Sequence, residues 1–161
     1  MSSQAPSESQ TDRISAHCRL LAESHRRVTG QPLGDPTWES LSDADLRAVM
    51  WEADVVIASH GTESDPVLNY GNARALELWE ADWPSFTSMP SRLTAEPMNR
   101  EERASMLARV TADGYIDDYA GIRISTKGTR FKIHRATVWN LIDAEGERRG
   151  QAVVFSDWSP L

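Results

Sequence analysis

With 161 residues, the chain has room for one domain and enough length to bury a core unaided by disulfides or a metal. Its 17 Lys and Arg against 24 Asp and Glu leave a net charge of −7, which argues against a broad phosphate-binding surface and so against a nucleic-acid partner. The single cysteine, Cys18, has no internal disulfide partner, and no apolar run approaches a membrane span, so a reducing, cytoplasmic setting away from the membrane is expected.

Residues 1–11 are polar and rich in Ser and Gln, with neither a basic leader nor an apolar stretch, and read as a disordered tail. Ile14, Cys18, Leu21 and Val28, with Leu20 beside them, then fall on one helical face, so residues 12–28 predict an amphipathic helix. Gly30-Gln-Pro32 ends it and Gly34-Asp-Pro36 extends the connector, which sets a helix and connector at 12–36 apart from a domain at 37–161. His17 and His25 lie two turns apart on that helix; with no further metal ligand signalled nearby, both are expected to face solvent.

Ser42-Asp-Ala-Asp45 has the form of a capping box and opens a short helix through Leu46, Val49 and Met50. The apolar run at 55–58, closed by Gly61, suits a strand buried on both faces, and a second short strand is expected at 67–70. Asn72 caps the next helix, 73–80, whose Leu76 and Trp79 share a side, and Asp82-Trp-Pro84 breaks it. Pro90 and Pro97 bracket a segment unsuited to continuous helix; Asn99 then caps a helix over 100–113, with Met106, Leu107 and Val110 as its apolar stripe and Gly114 as its stop.

Residues 115–158 read as three consecutive strands, at 116–126, 131–142 and 151–158. With Lys127-Gly128 as the two central turn residues, Ile124 lies opposite Phe131, Ile122 opposite Ile133 and Ala120 opposite Arg135 on one face. Arg123 then meets Lys132, and Gly121 meets His134, on the other face. Trp139 and Leu141 share the parity of Phe131 and Ile133, whereas Ala136, Val138 and Ile142 take the opposite one. Two strands, a helical insertion and a three-strand meander predict an α+β fold, one five-stranded antiparallel sheet with the inserted helices on one face. The second face is also apolar, and the N-terminal helix or a second copy of the chain is its expected cover.

Several strings carry a resemblance. Val67-Leu-Asn-Tyr-Gly-Asn-Ala73, followed by Ala75-Leu76 and Trp79, resembles the strand, Asn and short helix that open PAS domains. Ser91-Arg-Leu-Thr-Ala-Glu96, Asn99-Arg-Glu101, Gly114-Tyr-Ile-Asp-Asp-Tyr119, Gly121-Ile-Arg-Ile124, Arg130-Phe131, Val138-Trp-Asn140 and Gly150-Gln-Ala152, closing on Phe155 and Trp158, are similar to the MEKHLA domain, a PAS-like family. Together they span most of 38–158. The resemblance implies a PAS-like sheet with a small interior pocket and a sensory or regulatory role, served by a small-molecule ligand, a homodimer or a regulatory protein partner. It names no ligand and no cofactor.

The candidate pocket residues are Asn72, Trp79, Arg123, Arg135, Trp139, Asn140 and Gln151. Arg135 is the most pointed, because the register sets it among Ile122, Ile133 and Trp139 and opposite the small Ala120. There its planar fork would hold a carboxylate or another anion; the alternatives are an ion pair to an acid such as Glu96 or a head group reaching water. Arg123 shares with Lys127, Arg130, Lys132 and Arg135 a basic stripe that reads either as a solvated sheet edge or as an anion site. Asn140 and Gln151 would orient a ligand or satisfy strand ends, and Trp79 and Trp139 are expected as core walls on which a planar ligand would stack. Nucleophile elbow, phosphate loop, zinc spacing and helical His-Glu motif are all missing, which disfavours an enzyme; Asp117, Asp118 and His134 are the acid–base group that a small pocket enzyme would use. Haem on His60 or His134 and a flavin on Cys18 are both disfavoured, the first for want of a signalled open pocket and the second because Cys18 lies on the N-terminal helix. A non-catalytic sensory domain is therefore the leading expectation, and a dimerisation or docking module with a filled core the alternative.

Overall fold

The computed structural model describes residues 8–161, so residues 1–7 of the expected tail lie outside the described residues. Helix α1 runs from Glu8 to Thr29, longer than the periodic segment, and stops where left-handed Gly30 returns its N–H to the Arg26 carbonyl. A 3-10 turn at Pro36–Ser40 leads into α2 (Asp43–Trp51), where Ser42 Oγ accepts the Asp45 N–H as a cap. Strands β1 (Val56–His60) and β2 (Leu68–Gly71) are followed by α3 (Ala73–Trp79), α4 (Trp83–Phe86), a 3-10 turn at Ser91–Thr94 and α5 (Pro97–Asp113). Helix α5 opens on Pro97, not at 100, because a proline in the first turn has no N–H to leave unpaired; Glu96 takes the cap position and Asn99 lies inside the helix. Strands β3 (Tyr115–Ile124), β4 (Arg130–Ile142), β5 (Arg148–Phe155) and β6 (Asp157–Pro160) complete the chain.

All strand pairs are antiparallel, in the order β2-β1-β5-β4-β3. Strand β6 pairs with the first part of β4, from Phe131 to His134, while β5 pairs with the rest, so the sixth strand prolongs β5 along one side of β4. Helices α3, α4 and α5 pack Leu76, Trp79, Phe86, Met106 and Val110 on the inner face of the sheet. The outer face is covered by α1 and α2 through Cys18, Leu21, Leu46 and Met50, which meet Ile57, Tyr70, Trp139 and Leu141. Fully burying a leucine such as Leu21 or Leu46 contributes about 1.5–3 kcal/mol, so this cover is firmly held. A polar pin adds to it: Ser24 Oγ donates to the Ile142 carbonyl at 3.0 Å and accepts the Ile142 N–H at 2.8 Å.

Neither histidine of α1 faces solvent. His25 is buried edge-on to Trp139 with ring centroids 4.8 Å apart, and its Nδ1 donates to the Gln31 carbonyl. His17 is half-buried beside the Tyr70 ring, with Nε2 2.8 Å from Ser59 Oγ. Because α1 lies along the sheet and is also flanked by α2 and the connector, its covered arc is wider than its apolar stripe.

The β3–β4 hairpin departs from the expected register by one residue. Ser125 N–H bonds to the Thr129 carbonyl across a three-residue loop in which Gly128 takes φ 87°. Ile124 therefore faces Arg130, Arg123 faces Phe131 and Gly121 faces Ile133. An odd shift exchanges the faces, so Arg123 turns inward with Phe131. A bulge then sets His134 and Arg135 of β4 opposite the single Ala120, one residue extra, with Arg135 left-handed at φ 50°, and a second sets Asp117 and Asp118 of β3 opposite the single Thr137. Past the first bulge the parity of β4 is inverted: Ala136, Val138 and Asn140 share the inner face with Phe131 and Ile133, and Trp139 and Leu141 join the outer one.

Candidate functional site

The inner face of the sheet and helices α3 to α5 border a partly open cavity of about 60 Å³. Leu68, Trp79, Phe86, Met106, Ile133 and Val138 give it apolar walls, and its polar lining is Ser59, His60, Thr94, Arg103, Tyr119, Arg123 and Gln151. The volume is well under the roughly 300–1,000 Å³ of drug-sized and cofactor-sized sites.

Strand β3 builds one polar wall from its inward residues. Tyr119, Gly121 and Arg123 alternate on that face, and a Cβ added at Gly121 would collide with Tyr119 Oη, so the missing side chain is what lets the phenol lie along the strand. Arg123, only 5% exposed, stacks its guanidinium over the Tyr119 ring at 5.3 Å and donates from Nη1 to the neighbouring Ile122 carbonyl. Across the cavity α5 supplies half-buried Arg103, whose Nη2 donates to Ser91 Oγ at 3.0 Å. Burial, then the Arg123 charge, lower the Arg103 pKa to about 10, with Tyr119 acting in the opposite sense. Among the described residues no carboxylate lines the cavity, and neither Arg103 nor Arg123 takes part in an ion pair.

Three buried polar atoms of residues at this cavity have no hydrogen-bond partner among the described residues: Trp79 Nε1, Tyr119 Oη and His60 Nε2. Leaving such a group unpaired costs about 1–3 kcal/mol, so their gathering here is uncommon in a core built only for stability. His60 donates from Nδ1 to the Gly61 carbonyl, and burial, opposed by that bond and reinforced by Arg103, lowers its pKa. Its free Nε2 is thus an acceptor. Among the described residues no group of His, Cys, Asp and Glu side chains is arranged to hold a metal ion.

Of the residues singled out in the sequence, Trp79, Arg123 and Gln151 line the cavity. Gln151 is committed to its surroundings, Nε2 lying within 3.1 Å of the Leu107 carbonyl, Thr111 Oγ1 and Asn140 Oδ1. Asn140 sits beside it, pinning the Val110 carbonyl of α5 to the sheet. Asn72 is fully buried away from the cavity: Oδ1 accepts from Ile57 and Ala75 N–H, and Nδ2 donates to the Met50 and Val55 carbonyls. Trp139 is on the outer face because of the inverted parity, and Arg135 is exposed because it is itself the left-handed bulge residue. The expected ion pair to Glu96 is made by Arg130, at 2.6 Å. Asp117 and Asp118 are exposed and His134 bonds to Ser159 Oγ, so those three are not gathered at the cavity. Cys18 is buried in the outer-face cluster, its thiol pushed up to about 12 chiefly by burial. Arg103 and Tyr119 were not among the residues singled out. A signal for Arg103 was present in its spacing, three, four and seven residues before Met106, Leu107 and Val110, which puts it on the stripe that meets the sheet.

An antiparallel sheet in this order, with helices over a small, mainly apolar cavity, defines a PAS-type α+β domain. The fold is shared with the PAS domain of a protein from Colwellia psychrerythraea, at TM-score 0.62 and 11% identity over 74% of this chain and 98% of that one. A light-oxygen-voltage domain studied with a flavin analogue superposes at TM-score 0.55 and 14% identity, covering 73% of this chain and 84% of its own. The MEKHLA domain model matches residues 15–160, and the chain belongs to the MEKHLA family. Homeobox-leucine zipper protein ATHB-9 of Arabidopsis thaliana is 24% identical over 143 residues, 88% of this chain, which spans 17% of that protein's length. Among the described residues no helix is long and apolar enough to cross a membrane.

Proposed function

We propose that this MEKHLA domain is a non-catalytic sensory or regulatory module that binds a small ligand in the inner cavity and passes its occupancy to a protein partner or a second copy of the chain. The observation that carries this reading is the cavity itself, where buried Trp79 Nε1, Tyr119 Oη and His60 Nε2 lack partners and two arginines lack counter-charges. A docking module with a filled core has less support, because the core is not filled. The acidic net charge favours a protein partner over nucleic acid, and the buried, unpaired Cys18 suits the reducing cytoplasm.

Native mass spectrometry of freshly purified protein tests the proposal. A retained small molecule is expected, and Ala58→Leu, which fills the cavity from β1, is expected to release it while circular dichroism stays unchanged. Polypeptide mass alone under several expression conditions, with no cell metabolite altering hydrogen exchange at β3 or α5, would overturn it.

A further inference from the structure

We propose that the cavity is a receptor for a small planar carboxylate, held between the guanidinium groups of Arg103 and Arg123, with Tyr119 Oη and Trp79 Nε1 as neutral donors to the same anion. The inference rests on the ligand-binding reading above and names the ligand's chemistry.

Charge is the first reason. Two guanidinium groups share a small cavity that no acid lines among the described residues, and the Arg123 charge disfavours that of Arg103; a single negative charge placed between them offsets the repulsion. Hydrogen-bond inventory is the second. Each arginine carries five N–H donors, yet among the described residues Arg103 is bonded only to Ser91 Oγ and Arg123 only to the Ile122 carbonyl. Trp79 Nε1 is a donor without an acceptor and Tyr119 Oη has a proton to give, whereas Thr94 Oγ1 is already spent on the Ser91 carbonyl. The cavity therefore holds an excess of donors, with His60 Nε2 the acceptor among its unpartnered atoms. A carboxylate, with acceptor sites on both oxygens and a plane that matches the guanidinium fork, is the group that answers this excess.

Size narrows the class. A 150 Å³ cavity accommodates the six heavy atoms of benzene, so by proportion 60 Å³ holds about two to three, close to formate and one atom short of acetate, which needs a small outward shift of the wall. The apolar wall of Met106, Phe86 and Ile133 suits a short alkyl substituent in place of a further charge. Met106 and Tyr119 also line a groove on the outside between α5 and β3, so they form the partition through which such an ion would enter.

The test is a titration with sodium acetate, followed by thermal melting and by the indole N–H resonance of Trp79, against acetamide and sodium chloride at matched ionic strength. Acetate is expected to raise the melting temperature saturably and move the Trp79 signal; acetamide and chloride are expected to do neither. Arg103→Gln and Arg123→Gln should each weaken acetate by about tenfold or more, the scale of a lost charge-assisted bond, while Arg135→Gln leaves it unchanged. If Arg123→Gln fails to fold, Arg103→Gln alone decides. Acetamide matching acetate, or acetate affinity surviving in Arg103→Gln, would overturn the anion while leaving a ligand cavity in place. Absence of any saturable response to formate, acetate and propionate would also overturn it, and the retained mass in native spectra then judges the sensory reading separately.

Discussion

Replacing Asn72 by alanine is expected to cost the protein a large part of its stability while leaving the cavity chemistry alone. The side chain makes four hydrogen bonds from a fully buried position, to Ile57 N–H at 3.2 Å, Ala75 N–H at 3.1 Å, the Met50 carbonyl at 3.0 Å and the Val55 carbonyl at 2.8 Å. It thereby ties the end of α2, the entry to β1 and the first turn of α3. At about 1 kcal/mol net for each bond, the loss is about 4 kcal/mol, against the 5–15 kcal/mol of a typical domain. Asn72→Ser should cost about 3 kcal/mol, since its hydroxyl can still cap α3 but does not replace the amide donors. Equilibrium urea unfolding reads both values as shifts in midpoint at unchanged slope. A loss below about 1 kcal/mol for Asn72→Ala would refute the clamp, and so would a change in ligand affinity in a variant that remains folded.

Acid should loosen α1. Burial lowers the His17 pKa from 6.5 to about 4, so the folded state binds fewer protons than the unfolded state between these values, and stability present above 6.5 is lost as pH falls toward 4. For that shift the loss from pH 7 to pH 5 is about 2 kcal/mol, an upper figure because the ring is only half-buried; His17→Gln should flatten the pH dependence of urea midpoints, and an unchanged slope would refute the assignment. Gly121→Ala should displace the Tyr119 phenol, costing about 1–3 kcal/mol by overpacking and lowering ligand retention in native spectra. Because Arg135 sits left-handed at φ 50°, Arg135→Val is expected to lose about 1–2 kcal/mol in thermal melts, whereas Arg135→Gly holds or slightly gains.

The sequence by itself determined the elements whose causes are local. Ser42 and Asn72 cap the helices that follow them, as their short polar side chains predict, and the strand runs around 55–58 and 131–142 announced a sheet. The family strings pointed to a PAS-like sheet. Only the tertiary structure decided which side of each strand looks inward. A three-residue loop in place of a two-residue one, with Gly128 left-handed, turned Arg123 toward the cavity, and the bulge at Arg135 sent Trp139 to the outer face and brought Asn140 inward. Strand periodicity is two, so each inserted residue inverts everything after it, and no local preference registers the inversion until neighbouring strands and helices choose their packing. Arg103 was obscured for a related reason: on an isolated α5 it is one solvated cation among several, and it becomes part of a site only when the sheet places Tyr119 and Arg123 opposite it.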